Sequence, residues 1–173
     1  MRCAWRKFRD LRRLLTVRGA SLRMKGKIYR ACVQRVLVYG SETWPMKVDD
    51  MQRLVRSKNS MVRWMSGVSL KDKRSSEELR SGLGIVGVDS VVRRGRLRWF
   101  GHVERKEAGD WVSKCRNLEV VGGVRKDRGR KTWMECVKKD MKECGLKRKM
   151  RRIGLYGVRQ LLVTSNPRFS VKI

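Results

Sequence analysis

Apolar side chains in this chain recur three and four residues apart over most of its length, and that period limits the fold class to helices. Trp5, Phe8, Leu11 and Leu15 form the first series, with Arg6, Lys7, Arg9 and Arg13 mainly on other faces and Gly19 closing the helix. Leu22, Tyr29, Cys32, Val33, Val36 and Leu37 predict a second helix from about Ser21 to Tyr39. Gly40 can end it, and Pro45 keeps Trp44 out of the helical region. A third stripe of Met51, Leu54, Val55, Met61, Val62 and Met65 has Asp49 or Asp50 as its expected N-cap and Gly67 as its stop.

Ser75 and Glu78 have capping-box spacing ahead of a short helix. Ser90 is the expected cap of the next, which runs through "VVRRGRLRWFGHVER" with Val92, Trp99 and Val103 on its inner face and Gly95 as a close-packing point. Residues 117 to 131 read as an exposed basic loop, in which "LEVV" makes at most a short strand. Thr132 and Glu135 repeat the capping-box spacing before a last helix that packs through Trp133, Val137, Met141 and Cys144, with Gly145 at C′. The expected fold is therefore mainly α, an array of about five amphipathic helices with a basic loop and a poorly ordered C-terminal tail. The expected organisation is a helical region over 1–70, a basic helical segment over 71–146 and a disordered basic tail over 147–173.

Charge names the partner class. Lys and Arg number 45 against 16 acidic residues, a formal charge of +29 on 173 residues. A compact fold with that excess repels itself unless a polyanion is present. Nucleic acid fits because each neutralised phosphate releases a condensed counterion. The basic residues form blocks: Arg93, Arg94, Arg96 and Arg98; then Arg125, Lys126, Arg128, Arg130 and Lys131; then Lys147, Arg148, Lys149, Arg151 and Arg152. The first two blocks are the candidate nucleic-acid contacts, gripping the backbone without base readout. Six tryptophans offer stacking platforms for bases, yet Trp5, Trp64, Trp99 and Trp133 lie at or beside apolar stripes. Packing is the expected role there, and for Trp44 and Trp111 as well.

Signals for chemistry are sparse. His102 is the single histidine, and it lies near the edge of a helical stripe with no adjacent serine or cysteine, so a scaffold role is expected over a base with Glu104 as its orienter. "KVDD" has the form of a polymerase metal pair, but Asp49 and Asp50 are followed by an amphipathic helix, where the dipole favours carboxylates. Gly82, Gly84 and Gly87 match G-x-G-x-x-G without the strand that motif needs. Five cysteines without a CxxC pair give no zinc site at recognised spacing, so reduced, mostly buried thiols are expected. No catalytic residue, metal ligand or cofactor is assigned. With no apolar signal region and no apolar run long enough to span a bilayer, the expected location is nuclear or cytoplasmic, away from membranes and not secreted. The Arg-rich start resembling a mitochondrial presequence is a minor rival.

In order, "AWRKFRDL", "KGKIYRACVQRVLVYGSETW", "DDMQRLVRSKNSMVRWMSGVSLKD", "ELRSGLGI", "RRGRLRWFGHVERKE" and "RGRKTWMECVKKDMKECGL" make a joint series over about residues 4 to 146. The series resembles the thumb and post-palm region of reverse transcriptases of non-LTR (LINE-type) retrotransposons. "RGRKTW" lacks the proline usual in that loop. The resemblance implies a thumb-like region over 1–70 and RNA-directed DNA synthesis as the parent activity. It implies RNA or an RNA–DNA hybrid as partner and dependence on a palm domain for catalysis. None of the parent's catalytic carboxylates has a match in these segments, so the expectation is a non-catalytic C-terminal portion that holds nucleic-acid backbone. The alternative is a degenerate transposon relic with no selected function that folds poorly alone.

Overall fold

A computed structural model of the chain describes residues 1–107, 109–117 and 131–146. Among them there is no strand, and the elements are α1 (Arg2–Asp10), α2 (Arg12–Thr16), α3 (Leu22–Ile28), a π-helical turn (Tyr29–Val33), α4 (Gln34–Leu37), α5 (Val48–Ser66), α6 (Ser76–Gly82), α7 (Val88–Glu104), α8 (Trp111–Asn117) and α9 (Trp133–Glu143). The protein is mainly helical, as the apolar period requires. The expected loop over 117–131 falls almost wholly outside the described residues, and the expected tail over 147–173 does so entirely. No helix among the described residues is long and apolar enough to cross a membrane.

Contacts gather into two units. One joins Met1–Ser41 to Met46–Val92; the other joins Glu42–Pro45 to the chain from Arg93 onward, so the division falls inside α7.

In the first unit, several local signals act as the sequence dictates. Ser21 and Ser75 cap α3 and α6, their hydroxyls accepting from the amides of Met24 and Glu78. Gly67 takes φ +66° after α5, and the bond from the Val68 amide to the Arg63 carbonyl closes the end in the manner of a Schellman turn. Three boundaries differ from expectation. The first helix bends at Leu11, whose carbonyl accepts from both Leu14 and Leu15 and so tightens the turn between α1 and α2. Helix α5 starts after Lys47 rather than at Asp49 or Asp50, which instead occupy its first turn, where the dipole favours them. Helix α7 likewise starts at Val88, ahead of Ser90.

The π turn explains a difference in burial. Tyr29, Val33 and Leu37 are buried, while Leu22 and Val36 stay exposed. Four-residue steps drift about 40° each around an α-helix, and the wider π turn offsets that drift, holding the three on one side. They join Ala4, Phe8, Leu15, Met61, Val62, Met65, Leu83, Val88 and Val92 in one core. Gly26 of α3 lies against the Leu83 carbonyl, so close that a Cβ there would overlap the oxygen. Gly26 is thus a glycine held tightly against backbone. Gly95 makes only ordinary contact, its imagined Cβ 3.9 Å from that of Glu42.

Two lysines are inside this unit. Lys25 donates to the Met65 carbonyl at 3.2 Å, occupying an acceptor in the last turn of α5. Lys58, on the inner face of α5, is 1% exposed and donates to the Val86 carbonyl. It holds the turn between α6 and α7, where Gly84 at φ +63° closes α6. The G-x-G-x-x-G match is therefore a helix–turn–helix corner with buried Leu83 and Ile85, and no strand leads into it.

Candidate nucleic-acid interface

The second unit carries the first basic block, and the helical phase of α7 sorts its members. Leu97 and Val103 are buried on one side, with Cys136 and Val137 of α9 also buried in this unit. Arg96 falls on that same side, seven residues before Val103. It is buried, and its guanidinium donates to Asp140 of α9 at 2.6 Å. Arg93, half-buried beside it, reaches Glu143 at 2.7 Å and lies 4.0 Å from Asp140. These two arginines tie α7 to α9. Removing Asp140 would strand a buried cation, and that is the expensive event in such pairs.

The other members face outward. Arg94 and Arg98 are exposed, and Arg105 continues their stripe at the helix end. Successive side chains turn about 100°, so positions 94, 98, 102 and 105 fall within an arc of about 80°. Among the described residues, no carboxylate pairs with the guanidinium of Arg94, Arg98 or Arg105. Lys131 is exposed just ahead of α9, whereas Arg125, Lys126, Arg128 and Arg130 lie outside the described residues. Of the nine basic candidates, the structure thus places Arg94, Arg98 and Lys131 at the surface and Arg96 in the interior.

His102 is exposed and stacks on Trp99, ring centroids 5.4 Å apart and planes 30° from parallel. Glu104, two residues on, falls about 200° around the helix from His102. Trp99 is 37% exposed, contrary to its expected place on the inner face. The side turned to α9 centres on Arg96, Leu97 and Phe100, which leaves position 99 at the margin. Other tryptophans also depart from the packing role expected of them: Trp44, Trp64 and Trp111 are exposed. Arg12 lies 5.1 Å over the Trp64 ring, and Lys114 lies 5.1 Å over that of Trp111.

Asp110 shapes the corner between α7 and α8. Its carboxylate accepts from the Val112 amide at 2.9 Å and from Lys106 at 3.0 Å. The backbone bond first, and Lys106 after it, hold its pKa below the usual carboxylate range, and His102 acts on it in the same direction. At the start of α9 both halves of the capping box form, Glu135 accepting from the Thr132 amide at 3.0 Å and Thr132 accepting from the Glu135 amide at 3.2 Å. Trp133 follows, and its indole donates to the Glu42 carbonyl at 2.7 Å. The "SETW" and "KTW" segments therefore meet in one place.

Among the described residues, no three His, Cys, Asp or Glu side chains form a group that could hold a metal ion. Asp49 and Asp50 are exposed on α5. Of the five free cysteines only Cys136 is buried; Cys3 and Cys115 are exposed, so the expectation of mostly buried thiols fails where helices end or turn outward.

Comparison with known proteins adds an origin. The chain is 24% identical over 95 residues to an uncharacterized transposon-derived protein of Caenorhabditis elegans, a match covering 53% of this chain and 34% of that protein. The matched stretch thus amounts to about a third of the relative's length. The similarity supports a transposon origin. No family model matches the chain. No solved structure matches it either.

Proposed function

We propose that this chain corresponds to the thumb and post-palm portion of a non-LTR retrotransposon reverse transcriptase and serves to grip nucleic-acid backbone without reading sequence. The observation that carries the proposal is the surface of α7 and its end, where Arg94, Arg98 and Arg105 are exposed with no carboxylate partner among the described residues, on a chain of formal charge +29. Arginine's planar fork matches phosphate oxygens, and contacts of that kind position a nucleic acid without reading its sequence. The ordered motif series supports this reading, and the similarity to a transposon-derived protein supports a transposon origin. RNA or an RNA–DNA hybrid is the proposed polymer. Polymerisation itself would need palm carboxylates that these segments do not match, and no nucleotide incorporation is expected from this chain alone.

Fluorescence anisotropy with two duplexes of unrelated sequence tests the reading. The expected result is equal affinity for both, within about twofold. The logarithm of Kd should also rise with the logarithm of salt at a slope of about 3 or more, near 0.9 for each phosphate neutralised. A flat response from low to moderate salt overturns it.

A second reading, a relic with no selected role, is favoured by the large apolar side chains left in water, Tyr39 at 90% and Leu70 at 79% exposure among them. A thermal melt followed by circular dichroism separates the two. A cooperative transition fits an autonomous binding domain, and a gradual non-cooperative loss fits the relic.

A further inference from the structure

The Trp99–His102 stack lies at the outer margin of α7. Trp99 leaves 37% of its surface in water, and His102 lies on the exposed side of the helix. The pair presents aromatic ring surface to solvent beside the arginines that have no carboxylate partner among the described residues. Arg98 and Arg105 lie four positions before and three after His102, one turn away on either side along the axis, and Arg94 lies a further turn back. The stripe from Arg94 to Arg105 is about 16 Å long, the length of four or five nucleotides stacked at about 3.4 Å. Asp110 feels the charge of His102, and Lys106 lies 3.0 Å from the same carboxylate. Directly after Asp110, Trp111 stands 77% exposed as a second indole in the same unit.

We infer that the Trp99–His102 stack is a platform for an unpaired nucleotide base, with Arg94, Arg98 and Arg105 holding the phosphates on either side, so that single-stranded nucleic acid is the preferred ligand of this surface. The inference rests on the proposed backbone-binding function and adds to it a class of ligand. Duplexes bury their base faces between neighbouring pairs, so a duplex meets only the arginines, while a single strand meets the arginines and the rings. Base–aromatic stacking tolerates any sequence because every base has a π face, which agrees with a grip that does not read sequence.

Binding of a short oligothymidylate and of a duplex of equal length to the full chain and to His102→Ala, His102→Tyr and Trp99→Ala tests it. Circular dichroism confirms that each variant is folded; His102 is exposed, so His102→Ala stands if Trp99→Ala unfolds. The expected result is that His102→Ala weakens the single strand about tenfold and the duplex less than twofold, while His102→Tyr, which keeps a ring, retains most single-strand affinity. An equal loss for both polymers, or no loss for either, overturns the platform while leaving the backbone grip intact. Failure of the parent chain to bind either polymer overturns the grip itself. Tighter binding of polyglutamate than of oligothymidylate, with the same dependence on His102, assigns the surface to an acidic protein partner and also overturns the inference.

Discussion

Replacing Lys58 with methionine isolates what a buried charge does to this fold. Burial is the main cause that pushes the Lys58 pKa from 10.5 down to about 8; Arg80 adds to the effect, and Asp89 opposes it. In the unfolded chain the amine keeps its ordinary proton affinity. Below about pH 8 both states carry the proton, and the folded state bears the full penalty of an ammonium inside the core. Between about pH 8 and 10.5 only the unfolded state stays protonated, so stability rises with pH. At about 1.4 kcal/mol per pH unit the rise amounts to about 3 kcal/mol. Tyr29 bounds the window from above. Its buried hydroxyl has a raised pKa, so its contribution is complete below pH 10 and declines at higher pH.

Loss of charge from other lysines also relieves repulsion as the pH climbs, and for that reason the comparison is with Lys58→Met, which shares the background. Methionine fills much the same space and carries no proton, but it leaves the Val86 carbonyl without its donor, a loss of about 1 kcal/mol. Urea unfolding at pH 7 should therefore find the variant more stable by about 2 kcal/mol. By pH 10, where about 1 kcal/mol of the penalty remains, the two should be about equally stable. A variant that is less stable at pH 7, by an amount unchanged at pH 10, would refute the reasoning, because it would mean that the charged amine is well solvated where it lies.

Two further substitutions probe the packing of each unit. Gly26→Ala drives a methyl group into the Leu83 carbonyl, and a thermal melt should show a loss of about 1–3 kcal/mol, with no change expected if α3 can draw away freely. Asp140→Ala leaves Arg96 buried without a partner and should cost about 3–5 kcal/mol in denaturant unfolding, most of it recovered when Arg96→Met is added.

Much of this architecture could be read from the sequence because its signals are local. The hydroxyls of Ser75 and Thr132, and Gly67 at the end of α5, act within a few residues of themselves, and each appears where spacing placed it. The interior cations were illegible for the opposite reason. Lysine and arginine are ordinarily surface residues, so Arg96 is expected among the nucleic-acid contacts and Lys58 is not assigned to the interior. Their partners are remote: Val86 is 28 positions from Lys58, Asp140 is 44 from Arg96, and Glu42 is 91 from Trp133. A usable signal did exist. Lys58 stands between Leu54 and Val62 in the same stripe, and Asp140 stands between Val137 and Cys144 in another. A charge inside an apolar stripe marks either an error of phase or a buried pair. Helix α8, with seven residues, is too short for its period to stand out.

The account stands on the claim that the outward arginines of α7 hold phosphates. Measuring the salt dependence of duplex binding for the parent chain beside Arg94→Gln/Arg98→Gln/Arg105→Gln tests that claim most directly. The account predicts a folded triple variant whose log–log slope is shallower by about 2 to 3, with affinity lowered evenly across sequences. An unchanged slope and affinity in the folded variant would contradict it.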